Sequence, residues 1–468
     1  MIFRFMKPYL FILILPFVRA VIQYFTKGEV DGLFFPLLAA FVFVLAVAIL
    51  GWFSMQIIVK DGYITVKKGF LFKSCAVIEM TRLSSIALKQ NVLDFVFRSV
   101  NCAINTEAGT PKKSDFKIKL HKDDAKELYN LIYGAEEMKI IKFSPFQIAL
   151  LAATTSSAAT GIILGVPFIK KASELVGVAI SDMLLDEINN VSLRFKNVFP
   201  PIVNSATIIL LIAYGVSFAI TFLKNVNFQL KSGEKSIEAQ AGLIVRKRIA
   251  FKKSMVNDIC FEQTPLMRVL KRYSMRVSIG GYGDEKGEKA VVVPVARRDE
   301  LEQHLKTYFP TLTAHGEKIS PPKSLKTLKR FAYIPVLLGA GTITIGIVLI
   351  LLLPYFDRLI LFLTAVLLVI DLYYASICWH NYKFGALCLE ENIFASGSTG
   401  FTVREMYCNK NKTGLIKLSQ TPADRRHKTC KLKLTVRSEG ADSVKVKNLD
   451  LKIAVAKLNE AFKINIGV

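Results

Sequence analysis

GFLFK at residues 69–73 leads to IALKQ at 86–90, GLIVR at 242–246 leads to ICFEQ at 259–263, and GFTVR at 400–404 leads to IKLSQ at 416–420. Each copy reads Gly, apolar, any, apolar, basic, and then Ile-x-x-x-Gln. The Gly-to-Gln offset is 21, 21 and 20 residues. Copies two and three also share Gln-Thr-Pro-x-x-Arg, from Gln263 to Arg268 and from Gln420 to Arg425. A motif recurring at so long a period marks a repeated folding unit. The chain is therefore read as three modules.

Working outward from the copies, each follows a pair of long apolar segments. The chain has 468 residues, 52% of them hydrophobic, yet its net charge is +25. Both facts hold together only if apolar and basic residues are segregated along the chain. A helix needs about 20 apolar residues to cross a bilayer core. Six segments qualify: Pro8–Phe25, Leu33–Ile57, Phe146–Phe168, Ile202–Phe222, Phe331–Pro354 and Leu359–Trp379. Short links, Thr26–Gly32 and a turn around Tyr355–Arg358, make pairs one and three helical hairpins. Pair two is joined by Ile169–Pro201, which reads either as an interfacial helix or as a short helix packed on the bundle.

Lys and Arg near span ends set orientation. The stretches after spans two, four and six carry 15, 22 and 16 basic residues against 10, 11 and 8 acidic ones, whereas the links within pairs are near neutral. Both termini and all three modules are thus expected on the cytoplasmic side. Seven cysteines, with no Cys-x-x-Cys pair, read as free thiols.

The modules themselves alternate apolar and polar residues, as in QIIVKDGYITVKKG and SMRVSIGG, and each ends in a helix-like segment: DDAKELYNLIY, RRDELEQHLKTYF and LDLKIAVAKLNEAF. Period-two alternation argues half-buried strands. In the first helix Ala125, Leu128, Leu131 and Ile132 sit at helical spacing. This layout resembles the bacterial pleckstrin-homology-like domain, and the whole chain resembles the YdbT-like family of bacterial multi-pass membrane proteins. The residues carrying the likeness are Gly69, Gly242 and Gly400, then Ile86, Ile259 and Ile416, then Gln90, Gln263 and Gln420, with Arg268 and Arg425 after them. Module one has Phe95 in place of that arginine, and module three has polar Asp424, Arg426 and His427 where an apolar loop is expected. The resemblance implies an α+β membrane protein. Six transmembrane helices form three hairpins (1–57, 143–223 and 321–380), and each is followed by a bent antiparallel sheet with a C-terminal helix (58–142, 224–320 and 381–468).

The repeated positions read first as structural. The glycines suit a tight turn, and the glutamines suit backbone groups at a sheet corner. A ligand-facing role is the alternative for the glutamines. The basic residues Lys73, Arg246 and Arg404 follow the glycines, and module two extends its run to Arg246, Lys247, Arg248, Lys252 and Lys253. Beside a membrane such a run attracts anionic headgroups; the alternative is a solvated face that only fixes topology. Arg19 and Asp371 are the two ionisable residues deep in the spans and form a candidate intramembrane pair. Span three carries Ala149, Ala153, Ser157, Gly161 and Gly165 at every fourth position. Thr154, Thr155, Ser156 and Thr160 make it polar enough to line a cavity.

No nucleophile elbow, phosphate loop, zinc-protease motif or nucleotide fingerprint is present, and the five histidines are scattered. The expectation is a non-enzymatic scaffold in the bacterial plasma membrane, without cofactor or nucleic acid. Its expected partners are membrane lipids and a smaller membrane protein bearing one such domain, with an oligomer of the chain itself as a further option. The resemblance adds a role in envelope stress or resistance to membrane-active peptides. A transporter or lipid-handling bundle is the alternative, one whose spans would be broken at mid-membrane. Module two, with both an apolar loop and the densest basic surface, is where a partner or lipid is expected first.

Overall fold

A computed structural model describes residues 56–68, 74–91, 94–95, 97–106, 116–134, 137–176, 180–194, 201–279, 289–313, 316–436 and 443–464, with isolated positions before them. The first expected span, nearly all of the second, Arg19, Gly69 and Lys73 lie outside the described residues. The chain divides into two compact units, one of Met1–Glu107 with Asp115–Ala135, and one of Ala108–Ser114 with Glu136–Val468.

The first unit holds module one. Strands β1 (Gln56–Lys60), β2 (Tyr63–Lys68) and β3 (Ser74–Glu79) form an antiparallel meander. Asp61 and Gly62, both at positive φ, make the two-residue turn between β1 and β2 that right-twisted strands favour. A 3-10 turn, Met80–Arg82, leads to β4 (Leu83–Gln90), β5 (Ser99–Thr106), β6 (Phe116–His121) and helix α1 (Lys122–Tyr133). Helix α1 buries Ala125, Leu128, Tyr129 and Tyr133. Its inward face is therefore rotated from the expected one, with Leu131 exposed. The two tyrosine rings, 5.1 Å apart, supply the larger apolar surface.

The second unit begins with a strand that changes a boundary. β7 (Lys139–Lys142), expected within the bounds of module one, pairs with β8 (Gln229–Ser232) and so joins module two. Between them run helices α2 (Pro145–Thr155), α3 (Ala158–Val176), α4 (Ile180–Arg194) and α5 (Pro201–Asn225). Module two continues through β9 (Ser236–Ala241), β10 (Arg246–Lys252), a 3-10 turn, β11 (Val256–Gln263), α6 (Pro265–Val269), β12 (Tyr273–Ile279), β13 (Ala290–Ala296) and α7 (Arg298–Tyr308). After helices α8 (Leu325–Leu352) and α9 (Asp357–Phe384) the plan recurs. Module three has β14 (Ala386–Leu389), β15 (Asn392–Thr399), β16 (Thr402–Asn409), a 3-10 turn and β17 (Thr413–Ser419). It ends with α10 (Pro422–Arg426), β18 (Thr429–Val436), β19 (Ser443–Asp450) and α11 (Leu451–Phe462). Ile319, expected in module two, bridges Leu387 and belongs to the apolar core of module three. Hairpins two and three are thus each entered by a segment that pairs with the module following it.

Among the described residues three helices are long and apolar enough to cross a membrane: Val203–Asn225, Leu325–Leu352 and Pro354–Phe384. The expected span Phe146–Phe168 is not one helix. It breaks at Ser156–Ser157 into α2 and α3, which meet at 88°. The Thr154 and Thr155 hydroxyls bond back to the carbonyls of Leu150 and Leu151, a local competition that bends helices. Helix α5 satisfies groups freed at the break: Tyr214 Oη donates to the Ala153 carbonyl (2.6 Å), and Ser217 Oγ accepts from the Ser157 amide (3.3 Å). Beyond the break, α3 lies so close to α5 that a Cβ on Gly161 would stand 1.7 Å from the Ala213 carbonyl oxygen. The other half, α2, turns toward module two, where Leu151 packs with Met267 and Val295. Helix α4, from the expected linker, packs on α5, with Asn204 donating to the Ser192 carbonyl and Ser205 to Asn189. The hairpin of α8 and α9 closes tightly where Gly346 faces Thr364.

Modules two and three are not separate domains. β11 pairs antiparallel with β16, from Asp258 opposite Cys408 to Gln263 opposite Val403. This joins strands β11–β13 of module two to all of module three in a nine-stranded sheet ordered β13-β12-β11-β16-β15-β19-β18-β17, with β14 on β15.

Candidate functional site

The repeated Gly-to-Gln stretch is the hairpin tip plus the strand that forms this join. In all three modules the glutamine side chain donates to the backbone carbonyl nine residues on: Gln90 to Ser99 (3.3 Å), Gln263 to Arg272 (3.1 Å) and Gln420 to Thr429 (2.8 Å). Each closes the loop between two strands of its own module. Ile86 and Ile259 are fully buried, and Ile416 packs against the module-three core. Gly242 has φ +105, and a Cβ there would meet the Val245 carbonyl oxygen at 1.9 Å; Gly400 has φ +59 in open space.

The Gly tips fix both modules to apolar helices, module two at the end of α5 and module three against α9. The Gly242 amide donates to the Val226 carbonyl and the Leu243 amide to that of Leu223, where α5 ends. In module three Tyr373 Oη of α9 donates to the Phe401 carbonyl (2.6 Å). Beside the first tip, Arg268 on α6 donates to the Ser376 carbonyl of α9 (2.6 Å). Its counterpart Arg425 is exposed. Module two therefore touches two apolar helices, and the surface next to those contacts is apolar. Leu243, Ile244, Leu266, Val269 and Leu270 are all exposed. In module one Phe95 and Phe97 are exposed at the corresponding loop, whereas module three has Arg425, Arg426 and His427 there. Exposed leucine, isoleucine and valine at the end of a membrane-length helix fit an interface that dips into the headgroup boundary.

The loop comparison corrects one expectation. Asp424 is not a departure peculiar to module three. Asp94 occupies the same place after Gln90 and is as buried. Asp94 pairs with Lys119 at 2.6 Å, and Asp424 pairs with Lys431 at 3.3 Å. Burial pushes both carboxyls up, but hydrogen bonds and the lysines outweigh it and hold them below the usual range. Module two has Met267 instead, fully buried against α2. The broken span supplies the apolar partner that makes a methionine suitable there.

The five-residue basic run divides by strand alternation. Arg246 is exposed, while Lys247, Arg248, Lys252 and Lys253 are half-buried. Arg248 and Lys231 both reach the buried Glu238, at 2.6 and 3.3 Å. Burial lowers the pKa of Lys252. Arg246 instead borders a depression of about 260 Å³ with Asn227, Gln229, Gln240, Ala241, Gly242 and Leu243. One guanidinium among side-chain amides, beside an apolar tip, is a composition suited to an anionic oxygen group. Of the candidate intramembrane pair, Asp371 accepts from Thr342 of α8 (2.8 Å); Arg19 lies outside the described residues.

Sequence reasoning did not find the charges at the join. Arg404, the repeated basic residue of module three, bonds Glu262 of module two at 3.0 Å, and Arg276 bonds the same carboxylate at 3.2 Å. Burial pushes Glu262 up, but the two guanidinium groups outweigh it and hold it below the usual range. Across the join Arg298 bonds Glu405 at 3.2 Å, yet burial dominates there and Glu405 is raised. The Phe261 and Tyr407 rings pack beside them, tilted at 54° with centroids 5.3 Å apart. A signal existed: in the repeat Glu262 stands where the other copies have Lys89 and Ser419. Among the described residues no group of three His, Cys, Asp or Glu side chains is placed to hold a metal ion.

No curated protein and no solved structure matches this chain. Residues 10–136 and 175–309, more than half of the chain, match the family described as Bacterial PH domain. Each matched region takes in a module and apolar sequence before it, the same unit the repeat defines, and the chain belongs to the bacterial PH domain family.

Proposed function

We propose that the chain is a non-enzymatic membrane scaffold, with six spans, both termini in the cytoplasm, and its PH-like modules held on the cytoplasmic face for protein assembly. One observation carries this reading: strands β11–β13 of module two and the whole of module three form one continuous sheet, and the Gly tips of the two modules are fastened to the end of α5 and to Tyr373 of α9. Such a body is stiff, membrane-rooted and rich in surface, which is what an assembly platform requires. The apolar tip Leu243–Ile244 and the Arg246 depression supply a contact to anionic lipid. The likeness to YdbT-like proteins supports a partner of the same kind, a smaller membrane protein with a single PH-like domain, acting in envelope stress or peptide resistance.

The test is purification of the tagged full-length chain from native membranes. A stoichiometric single-domain membrane protein is expected to accompany it. A stoichiometric lipid or small molecule with no protein partner would sink the scaffold reading. That outcome favours the second reading, a transporter or lipid-handling protein, which rests on the break between α2 and α3 lined by Thr154, Thr155, Ser156 and Ser157.

A further inference from the structure

The seam between modules two and three has two half-copies elsewhere in the chain. On the module-two side the seam strand is β11, which carries Ile259 as its fourth residue and Gln263 as its eighth. Its counterpart in module three is β17, where Ile416 is again fourth and Gln420 follows. β11 has two neighbours, β12 and β16, whereas β17 pairs with β18 and ends the sheet among the described strands. On the module-three side the seam strand is β16, the third strand of its module, ending at a 3-10 turn. Its counterpart in module one is β3, which likewise ends at the 3-10 turn Met80–Arg82 and is the last strand of its own sheet.

Exposure follows pairing. Asp258, Cys260 and Glu262 of β11 are buried, but their counterparts Leu415, Lys417 and Ser419 of β17 are exposed, Leu415 by 57%. Tyr407 and Glu405 of β16 are 8% and 2% exposed, but their counterparts Val77 and Cys75 of β3 are exposed, Val77 by 62%. An exposed strand edge with apolar side chains is a template for pairing. Among the described residues this chain carries both an edge strand and the strand type that covers such an edge in its own seam.

We propose that β17 of one chain accepts β3 of a second copy by antiparallel strand addition, in the register of β11 with β16. Carried over, that register sets Ile416 opposite Val77, Lys417 opposite Ala76 and Leu418 opposite Cys75. Arg82 takes the place of Lys412, which in the seam donates to the carbonyls of Ser254 and Val256. The contact is heterologous, so copies extend head to tail and close into a ring or run on as an array in the membrane plane. The occupant is a second copy because the complementary strand, with its turn and its exposed valine, is part of this sequence. The proposal does not depend on the scaffold reading, since a transporter could assemble in the same way.

Disulfide trapping in full-length protein in nanodiscs or native membranes tests it. Directly opposite strand residues lie within disulfide reach. In a Cys75→Ser background, Ala76→Cys and Lys417→Cys are made in separate, differently tagged chains and mixed before mild oxidation. A mixed disulfide dimer is expected, and Val77→Asp should lower its yield about tenfold. A double variant that oxidises wholly within one chain would overturn the proposal. So would the absence of any cross-link, or a yield indifferent to Val77→Asp. Lys417 is exposed and Ala76 is small, so folding is retained; a thermal melt of each variant checks this.

Discussion

Modules two and three share one order of elements and both bury carboxylates, Glu405 and Asp424 in module three, yet they turn different side chains outward. Module two buries Glu238, Asp258 and Glu262 within its sheet and turns Leu243, Ile244 and Val269 outward beside apolar helices. Module three has an uninterrupted apolar core of leucines, valines and cysteines and turns Arg425, Arg426 and Lys417 outward. The difference follows from position in the chain. Module two is covered on two sides, by α2 and by β16, and a covered surface needs complementary charge. Module three is covered by β11 on one side, and its far strand β17 is solvent-exposed. The same fold therefore yields a membrane-bound, charge-locked unit in the middle and a self-sufficient unit with an open edge at the end.

The largest expected effect tests the charge lock. Glu262→Ala leaves Arg276 and Arg404 facing each other in the seam, and removal of one partner from a buried pair costs about 3 kcal/mol or more. Thermal unfolding of the purified protein should show this, and Arg404→Met in the same chain should recover part of it. Acid sharpens the contrast. Glu262 is held below its ordinary value of 4.5, so the stability it gives is present above about pH 4.5 and is lost as pH falls through its folded pKa. Glu405 is raised, so its contribution has the opposite sign, present below about pH 4.5 and lost as pH rises through its folded pKa. Melting temperature should thus depend less on pH on the acid side in Glu262→Gln, with Asp94 and Asp424 still contributing, and flatten toward neutral pH in Glu405→Gln. Identical profiles for the two variants would break the comparison.

How much of this was readable in the sequence follows from where the information lies. The module count, the strand-rich bodies with closing helices, and hairpin three come from periodicity, which is local and survives inspection of one chain. The join of β11 to β16 does not, because its residues are 140 or more apart and each strand alternates as well as any other strand. The break at Ser156 was also missed, although the hydroxyl residues were noted. Composition over a window reports an average, whereas the bend depends on which carbonyls Thr154 and Thr155 capture and on Tyr214 and Ser217 across the helix pair. The basic run was counted as one patch because charge is visible in sequence and Glu238, nearly enclosed beneath Arg248, is not recognisable as its partner.

A smaller effect separates the two glycine tips. Gly400→Ala places a Cβ in open space at φ +59, so only the backbone penalty applies, about 1 kcal/mol. Gly242→Ala adds a collision with the Val245 carbonyl at the tip that rests on α5, so its cost should be about 2–3 kcal/mol. Chemical or thermal unfolding of the two variants side by side reads the difference. Equal costs would mean that the module-two tip relaxes freely and is not clamped by the end of α5.

The smallest effect concerns the glutamines. Each donates one hydrogen bond across a nine-residue loop, and deletion of such a bond costs about 1 kcal/mol. Position modulates that value. Gln263 is buried, in a strand covered on both edges, and its loss strands the Arg272 carbonyl beside α6, the helix that carries Arg268 to Ser376. Gln420 follows the exposed strand β17, where water can replace the amide at the Thr429 carbonyl. Gln263→Ala should therefore cost more than Gln420→Ala, and it should also loosen the contact between α6 and α9. Amide hydrogen exchange in residues 264–272 and 421–429 reports both. If protection falls equally in the two loops, the covered and open modules do not differ at this position.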